Sequence, residues 1–130
     1  MLDRPLCIIG AARSGTTVLG HLLARHRAVA YWEEPKYLWQ YRKPLSTTDV
    51  RTADEASPPV RRYLRGRLAK HVEKGDAARL VEKTPSNCFR VPFVHAVLPE
   101  GRFIHLIRDG RDVALSARRQ WQRLNDGPEE

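Results

Sequence analysis

"CIIGAARSGTTVLGHLL", residues Cys7–Leu23, decides the fold. Leu6 to Ile9 is an apolar run of strand length. Gly10-Ala11-Ala12-Arg13-Ser14-Gly15 follows as a small turn, and Thr16, Thr17, Val18, Leu19, Leu22 and Leu23 open a helix. The pattern predicts strand 5–10, loop 10–14 and helix 15–26. Strand, glycine turn and helix together frame an anion site. Glycines let backbone N–H groups approach a ligand closely, and the amides and positive dipole end of the helix point at the same spot. Thr16 and Thr17 add hydroxyl donors, and Arg13 adds a forked cation. A kinase-type loop, G-x-x-x-x-G-K-[ST], would carry lysine directly after its second glycine. Here that position is Thr16, and the cation, Arg13, stands upstream of Gly15. A tight turn that merely caps a helix is the plain alternative.

Outward from this unit, strands and helices alternate. Ala28 to Trp32 reads as a second strand ending in Glu33-Glu34-Pro35, and 36–42 as a short helix. Residues 43–59, with Pro44, Ser46, Thr47, Thr48, Pro58 and Pro59, read as a loop. Val60, Leu64, Leu68 and Val72 recur every four residues among arginines, which predicts an amphipathic helix. Leu80-Val81 starts a third strand that ends in Glu82-Lys83-Thr84-Pro85. Ser86 caps a helix over 87–98 with Phe89, Phe93, Val94 and Val97 inward, and Pro92 bends or delays it. Residues 102–107 are a fourth strand and 111–124 a last helix, stopped at Asn125-Asp126-Gly127-Pro128. The alternation predicts an α/β fold with a mostly parallel sheet of about four strands. Ligands of such sheets gather at the C-terminal strand ends. Four polar clusters fall there: residues 13–17, Glu33-Glu34, Lys83-Thr84 and Arg108-Asp109.

The 130 residues suffice for one domain with a real core, and 42% apolar content is ordinary for a globular chain. Lys and Arg outnumber Asp and Glu 23 to 15, a net +8, so the surface attracts anions. The cations are scattered and no zinc-finger or RNP-type motif is present, so no nucleic-acid partner is expected. Cys7 and Cys88 have no metal spacing and the five histidines form no ligand cluster, which leaves two thiols in a reducing compartment as the expectation. Arg4 and Arg13 interrupt any signal-peptide core, and no run approaches the ~20 apolar residues of a membrane span. A cytoplasmic location is therefore expected.

"RDGRDVALS", Arg108 to Ser116, sets an arginine at a strand end and a serine eight residues later, two helical turns along. Alone, it reads better as a surface helix start with ion pairs such as Asp109 with Arg111. Together with the first loop it carries a resemblance. "AARSGTTVL" resembles the loop that holds the 5′-phosphosulfate in sulfotransferases using 3′-phosphoadenosine 5′-phosphosulfate (PAPS). "LIRDGRDVALS" resembles their 3′-phosphate motif, with Arg108 and Ser116 at the matching spacing. "EKTPSN", residues 82–87, resembles the lysine segment of the carbohydrate and tyrosylprotein branches.

The resemblance implies a P-loop-like three-layer fold and a single PAPS-binding domain over 1–130, incomplete at its C-terminus. It implies transfer of a sulfuryl group to a hydroxyl or amine of a small molecule, carbohydrate or peptide, with PAPS as co-substrate and no metal. PAPS would be held by Arg13, Ser14, Gly15, Thr16, Thr17, Arg108 and Ser116. Glu34 would be the base, with Glu33 as the neighbour that could exchange roles with it. Lys83 or Arg13 would stabilise charge on the bridging oxygen. Family members usually run to twice this length, and a shortened sheet would leave Phe103, Ile104 and Trp121 uncovered and invite self-association. Two rivals stand beside it: a P-loop kinase of a nucleotide or small substrate, and a non-catalytic basic module that binds anionic polymers.

Overall fold

A computed structural model describes residues 2–43 and 48–125; the expected loop residues Pro44, Ser46 and Thr47 and the helix stop at Asp126-Gly127-Pro128 lie outside them. The elements run β1 (Leu6–Gly10), α1 (Thr16–Ala24), β2 (Val29–Glu33), α2 (Lys36–Trp39), α3 (Pro58–Lys74), β3 (Arg79–Lys83), α4 (Val91–Val97), β4 (Arg102–Leu106) and α5 (Gly110–Asn125). The strands form one parallel sheet in the order β2-β3-β1-β4. The expected α/β fold with four parallel strands is the observed one.

The sheet order explains the layers. The chain leaves β1 toward the β2 edge and afterwards moves the other way, so right-handed crossovers set α1 on one face and α3 and α4 on the other. Alternation along each strand follows. Cys7 and Leu80 join Val60, Leu64, Leu68, Phe93, Val94 and Val97 in the main core, with Leu38 and Trp39 of α2. Adjacent strands β1 and β3 thus lead to opposite faces, and a crevice opens at their C-terminal ends.

Three local expectations need correction. The stretch before α3 holds a 3₁₀ turn, Ala53–Glu55, closed by a capping box between Thr52 and Glu55, and α3 begins at Pro58 because prolines suit the first helical turn. The single helix expected over 87–98 is split into a 3₁₀ turn, Pro85–Phe89, and α4, with Pro92 in the first turn of α4, where its missing N–H is harmless. Phe89 therefore points outward and is 61% exposed instead of joining the core.

The layer on the α1 side is thin. Helix α5 buries none of its residues, and Val18, Leu22, Ile107, Leu115, Trp121 and Leu124 are all exposed. Phe103 and Ile104 on the edge strand β4 are half-buried. Where α1 does pack, it needs a small residue: a Cβ at Gly20 would overlap the Tyr31 ring. Gly20→Ala is expected to lower stability by roughly 1 kcal/mol, overpacking outweighing the better helix propensity of alanine. Urea unfolding checks this; a raised midpoint would mean that the ring simply gives way. Among the described residues no helix is long and apolar enough to cross a membrane.

Candidate functional site

The first loop is built on positive backbone angles. Gly10 has φ 151°, and a Cβ there would sit 2.5 Å from the carbonyl oxygen of Leu106. Gly15, at φ 96°, caps α1 without a side-chain bond. Arg13 takes φ 70°, a region where a non-glycine residue is strained. Such strain persists where surrounding contacts determine it. Here Arg108 Nη1 donates to the Arg13 carbonyl at 2.9 Å, and Arg13 Nε donates to Ser116 Oγ at 3.1 Å. Residues 95 and 103 positions away in the chain thus brace the loop. Arg13, Gly15, Thr16, Thr17, Val18, Arg108 and Ser116 line one open cleft of about 190 Å³. Six of the seven nucleotide-site residues expected from the sequence meet there; Ser14 lies in the same turn, its N–H bonded to Ala11. Asp109 also pairs with Arg111, as the plainer reading had it.

Beside this cleft lies the second cluster. The Lys83 ammonium is almost wholly buried and donates to Thr17 Oγ1 at 2.9 Å, Glu33 Oε1 at 3.1 Å and Glu34 Oε1 at 2.9 Å. All three of its protons have acceptors. Glu33 also meets His21 Nε2 at 3.2 Å, and Glu34 meets Lys36 Nζ at 3.2 Å. The Lys83 hydrogen bond, helped by His21, holds the Glu33 carboxyl below its ordinary pKa. Burial pushes Glu34 up, but hydrogen bonds from Lys83 and Lys36 outweigh it and leave Glu34 lowered as well.

The two carboxylates are not equivalent. Glu33 turns to His21 on the α1 side. Glu34 has φ 48°, which swings it out of the strand's alternation. It lines a larger cleft of about 500 Å³ with Ala11, Ala12, Pro85, Ser86, Cys88, Phe89 and His105. Lys83 thus bridges to both carboxylates from the edge of the smaller cleft, while Glu34 fronts the larger one.

The sequence reading missed His21 and the second cleft's Ser86, Phe89 and His105. His105 was legible as a polar residue next to the C-terminal end of an apolar strand, but Phe89 was hidden by the assumption of a continuous helix. It also missed Glu82, which is fully buried against Trp39, Thr84 and Asn87. A signal existed: alternation in "LVEK" puts Glu82 on the same face as the core residue Leu80.

Known proteins resemble this chain over most of its length. The nodulation protein NoeE of Sinorhizobium fredii is 25% identical over 88% of this chain and 31% of its own length. A protein of Caenorhabditis briggsae bearing the name protein-tyrosine sulfotransferase is 32% identical over 82% of this chain and 40% of its own. A sulfotransferase structure from Mycobacterium tuberculosis H37Rv superposes with a TM-score of 0.47 at 16% identity, covering 83% of this chain and 46% of that one. The chain therefore spans less than half the length of each. The pattern of the sulfotransferase family matches residues 5–128, and the chain belongs to that family.

Proposed function

We propose that residues 1–130 form a PAPS-binding domain that moves a sulfuryl group to an acceptor hydroxyl or amine. The observation that carries this reading is the meeting of Arg13, Thr16, Thr17, Arg108 and Ser116 on one cleft, with Lys83 buried at its edge between Thr17 and two carboxylates. In this reading the loop amides, Arg13 and Thr16 hold the 5′-phosphosulfate, while Arg108 and Ser116 hold the 3′-phosphate. The acceptor enters the larger cleft in front of Glu34. Its oxygen or nitrogen attacks sulfur as the bond from sulfur to the bridging oxygen breaks. The electron pair stays on the phosphate of 3′,5′-ADP, and the acceptor proton goes to Glu34. Lys83 and Arg13 neutralise the charge that builds on the bridging oxygen. Turning Lys83 toward that oxygen also releases Glu34 from its ion pair, which raises the basicity of Glu34 as the proton arrives.

Acceptors bearing a hydroxyl on a saccharide, peptide or small molecule all fit the reading. The name of the Caenorhabditis briggsae relative adds support for a peptide hydroxyl. A reducing, cytoplasmic setting suits the free thiols Cys7 and Cys88. Self-association through the exposed α1–α5 face belongs to the same proposal, and sedimentation tests it. Threonine in place of the kinase loop's lysine argues against the kinase reading.

Calorimetry tests the assignment. The chain is expected to bind 3′,5′-ADP at least about tenfold more tightly than 5′-AMP, because charge-assisted bonds to the 3′-phosphate contribute about 1.5–3 kcal/mol. Arg108→Ala is expected to erase that preference. Equal affinity for the two nucleotides, or binding of ATP only with magnesium, would overturn the reading and favour the kinase.

A further inference from the structure

Glu82 and Lys83 are neighbours on β3 and point to opposite faces of the sheet. Above the sheet, Lys83 binds Thr17 and the two carboxylates. Below it, Glu82 is fully buried and accepts three hydrogen bonds: from Trp39 Nε1 at 2.9 Å, from Asn87 Nδ2 at 3.2 Å and from the Thr84 hydroxyl. Asn87 is in turn held through its Oδ1 by Arg90 Nε at 2.8 Å, and Arg90 Nη2 donates to Ser86 Oγ at 2.7 Å. Arg90 is itself fully buried, with Asp49 at 3.6 Å. One carboxylate therefore joins α2, the end of β3 and the 85–89 turn.

Each of these segments carries a side chain of the site. Trp39 ends α2, the single helical turn that starts directly after Glu34 and Pro35. Glu34 sits at φ 48° and donates its N–H to the Lys83 carbonyl at 2.7 Å. A strained backbone of this kind survives only where its neighbours are fixed. Ser86, Cys88 and Phe89 of the 85–89 turn form one wall of the larger cleft.

We infer that Glu82 is a positioning residue: through Trp39 and Asn87 it holds Lys83, the strained Glu34 and the cleft wall of residues 85–89 in one arrangement. Its functional meaning rests on the sulfotransferase reading of Glu34 and Lys83, but the mechanical claim can be tested without it. Burial pushes the Glu82 carboxyl up to about 7 against the pull of its three donors and Arg90, as a fully desolvated acid must show.

The exchange of one amide for one acid supplies the test. Glu82→Gln turns one acceptor oxygen into a donor that opposes the Asn87 amide. Adding Asn87→Asp restores the pairing, because the new carboxylate accepts from both the new amide and Arg90. Amine acylation of the full chain, read by mass spectrometry, measures the protection of Lys83, with exposed Lys70 as an internal control and parallel alkylation of the buried Cys7 thiol as a second control. Glu82→Gln is expected to speed labelling of Lys83 about fivefold or more, with Lys70 unchanged and Cys7 still protected. The double variant is expected to return Lys83 to the wild-type rate. The proposal fails if Lys83 labels at the wild-type rate in Glu82→Gln, if the double variant labels as fast as the single one, or if Cys7 opens in step with Lys83. Should Glu82→Gln not fold, Trp39→Phe removes the indole donor and keeps a ring; faster labelling of Lys83 supports the proposal there, and an unchanged rate overturns it. Absence of 3′,5′-ADP binding by the wild-type chain would sink the sulfotransferase reading and leave these labelling outcomes to decide the positioning role.

Discussion

Glu34→Gln is expected to lower sulfuryl transfer by about 10²–10⁴-fold, the usual consequence of removing a general base, with 3′,5′-ADP affinity nearly unchanged. The separation follows from the geometry. Glu34 lines the larger cleft, while Arg13, Thr16, Thr17, Arg108 and Ser116 line the other. A base on the acceptor side acts on the attacking group and has no contact to lose with the departing nucleotide. Glutamine keeps the size of the side chain and one acceptor oxygen for Lys83, so the ion pair weakens but the packing stays. Glu33→Gln makes the control. Glu33 is tied to His21 and does not line the larger cleft, so its loss is expected to slow transfer far less. Transfer of labelled sulfate from PAPS to a panel of sugar, phenol and peptide acceptors, beside calorimetry with 3′,5′-ADP, reads both effects. A larger loss in Glu33→Gln than in Glu34→Gln would reverse the assignment of the base.

The second large effect is in stability against pH. Burial holds the Glu82 carboxyl near 7, well above the ordinary 4.5. The folded chain keeps a proton there that the unfolded chain releases, so this group favours folding fully below about pH 4.5. That contribution is lost as pH rises through the window up to about 7, by roughly 3 kcal/mol in total. Glu33, Glu34, Glu55 and Glu100 act with the opposite sign. Their folded values are lowered by lysine, arginine and backbone partners. Their contribution is present above the ordinary carboxyl range and is lost as pH falls below it, outside the Glu82 window. Urea unfolding at pH 5 and pH 7.5 is thus expected to show falling stability in the wild-type chain and a much flatter profile in Glu82→Gln. Contributions that the two proteins share cancel in the comparison. Parallel slopes in the two proteins would mean that Glu82 is ionised throughout.

Much of the site was legible because its chemistry is local. Gly10 and Gly15 mark a turn that only positive φ allows, and the apolar run before it and the helical spacing after it define β1 and α1. Arg108 and Ser116 lie on one strand-helix junction, so their spacing alone sets them side by side in the fold. The same holds for α3, whose repeat of Val60, Leu64 and Leu68 is the buried stripe observed. Phe89 was misread because a 3₁₀ turn and an α-helix share the same short apolar spacing, and Pro92 decides between them only once the chain beneath is known to turn.

The sequence by itself determined the order of strands and helices, the glycine loop and the arginine-serine pair, since each depends on residues within a few turns of one another. Only the tertiary structure decided what Lys83 binds. Parallel pairing of β3 with β1 and β2 brings it to Thr17, 66 positions away, and to Glu33 and Glu34, 50 and 49 positions away. It alone separated the two glutamates. Regular alternation would assign their faces by parity, but the left-handed backbone at Glu34 breaks that alternation just past the strand end. That conformation is strained for a glutamate and is held by contacts from elsewhere in the fold, which no local pattern records.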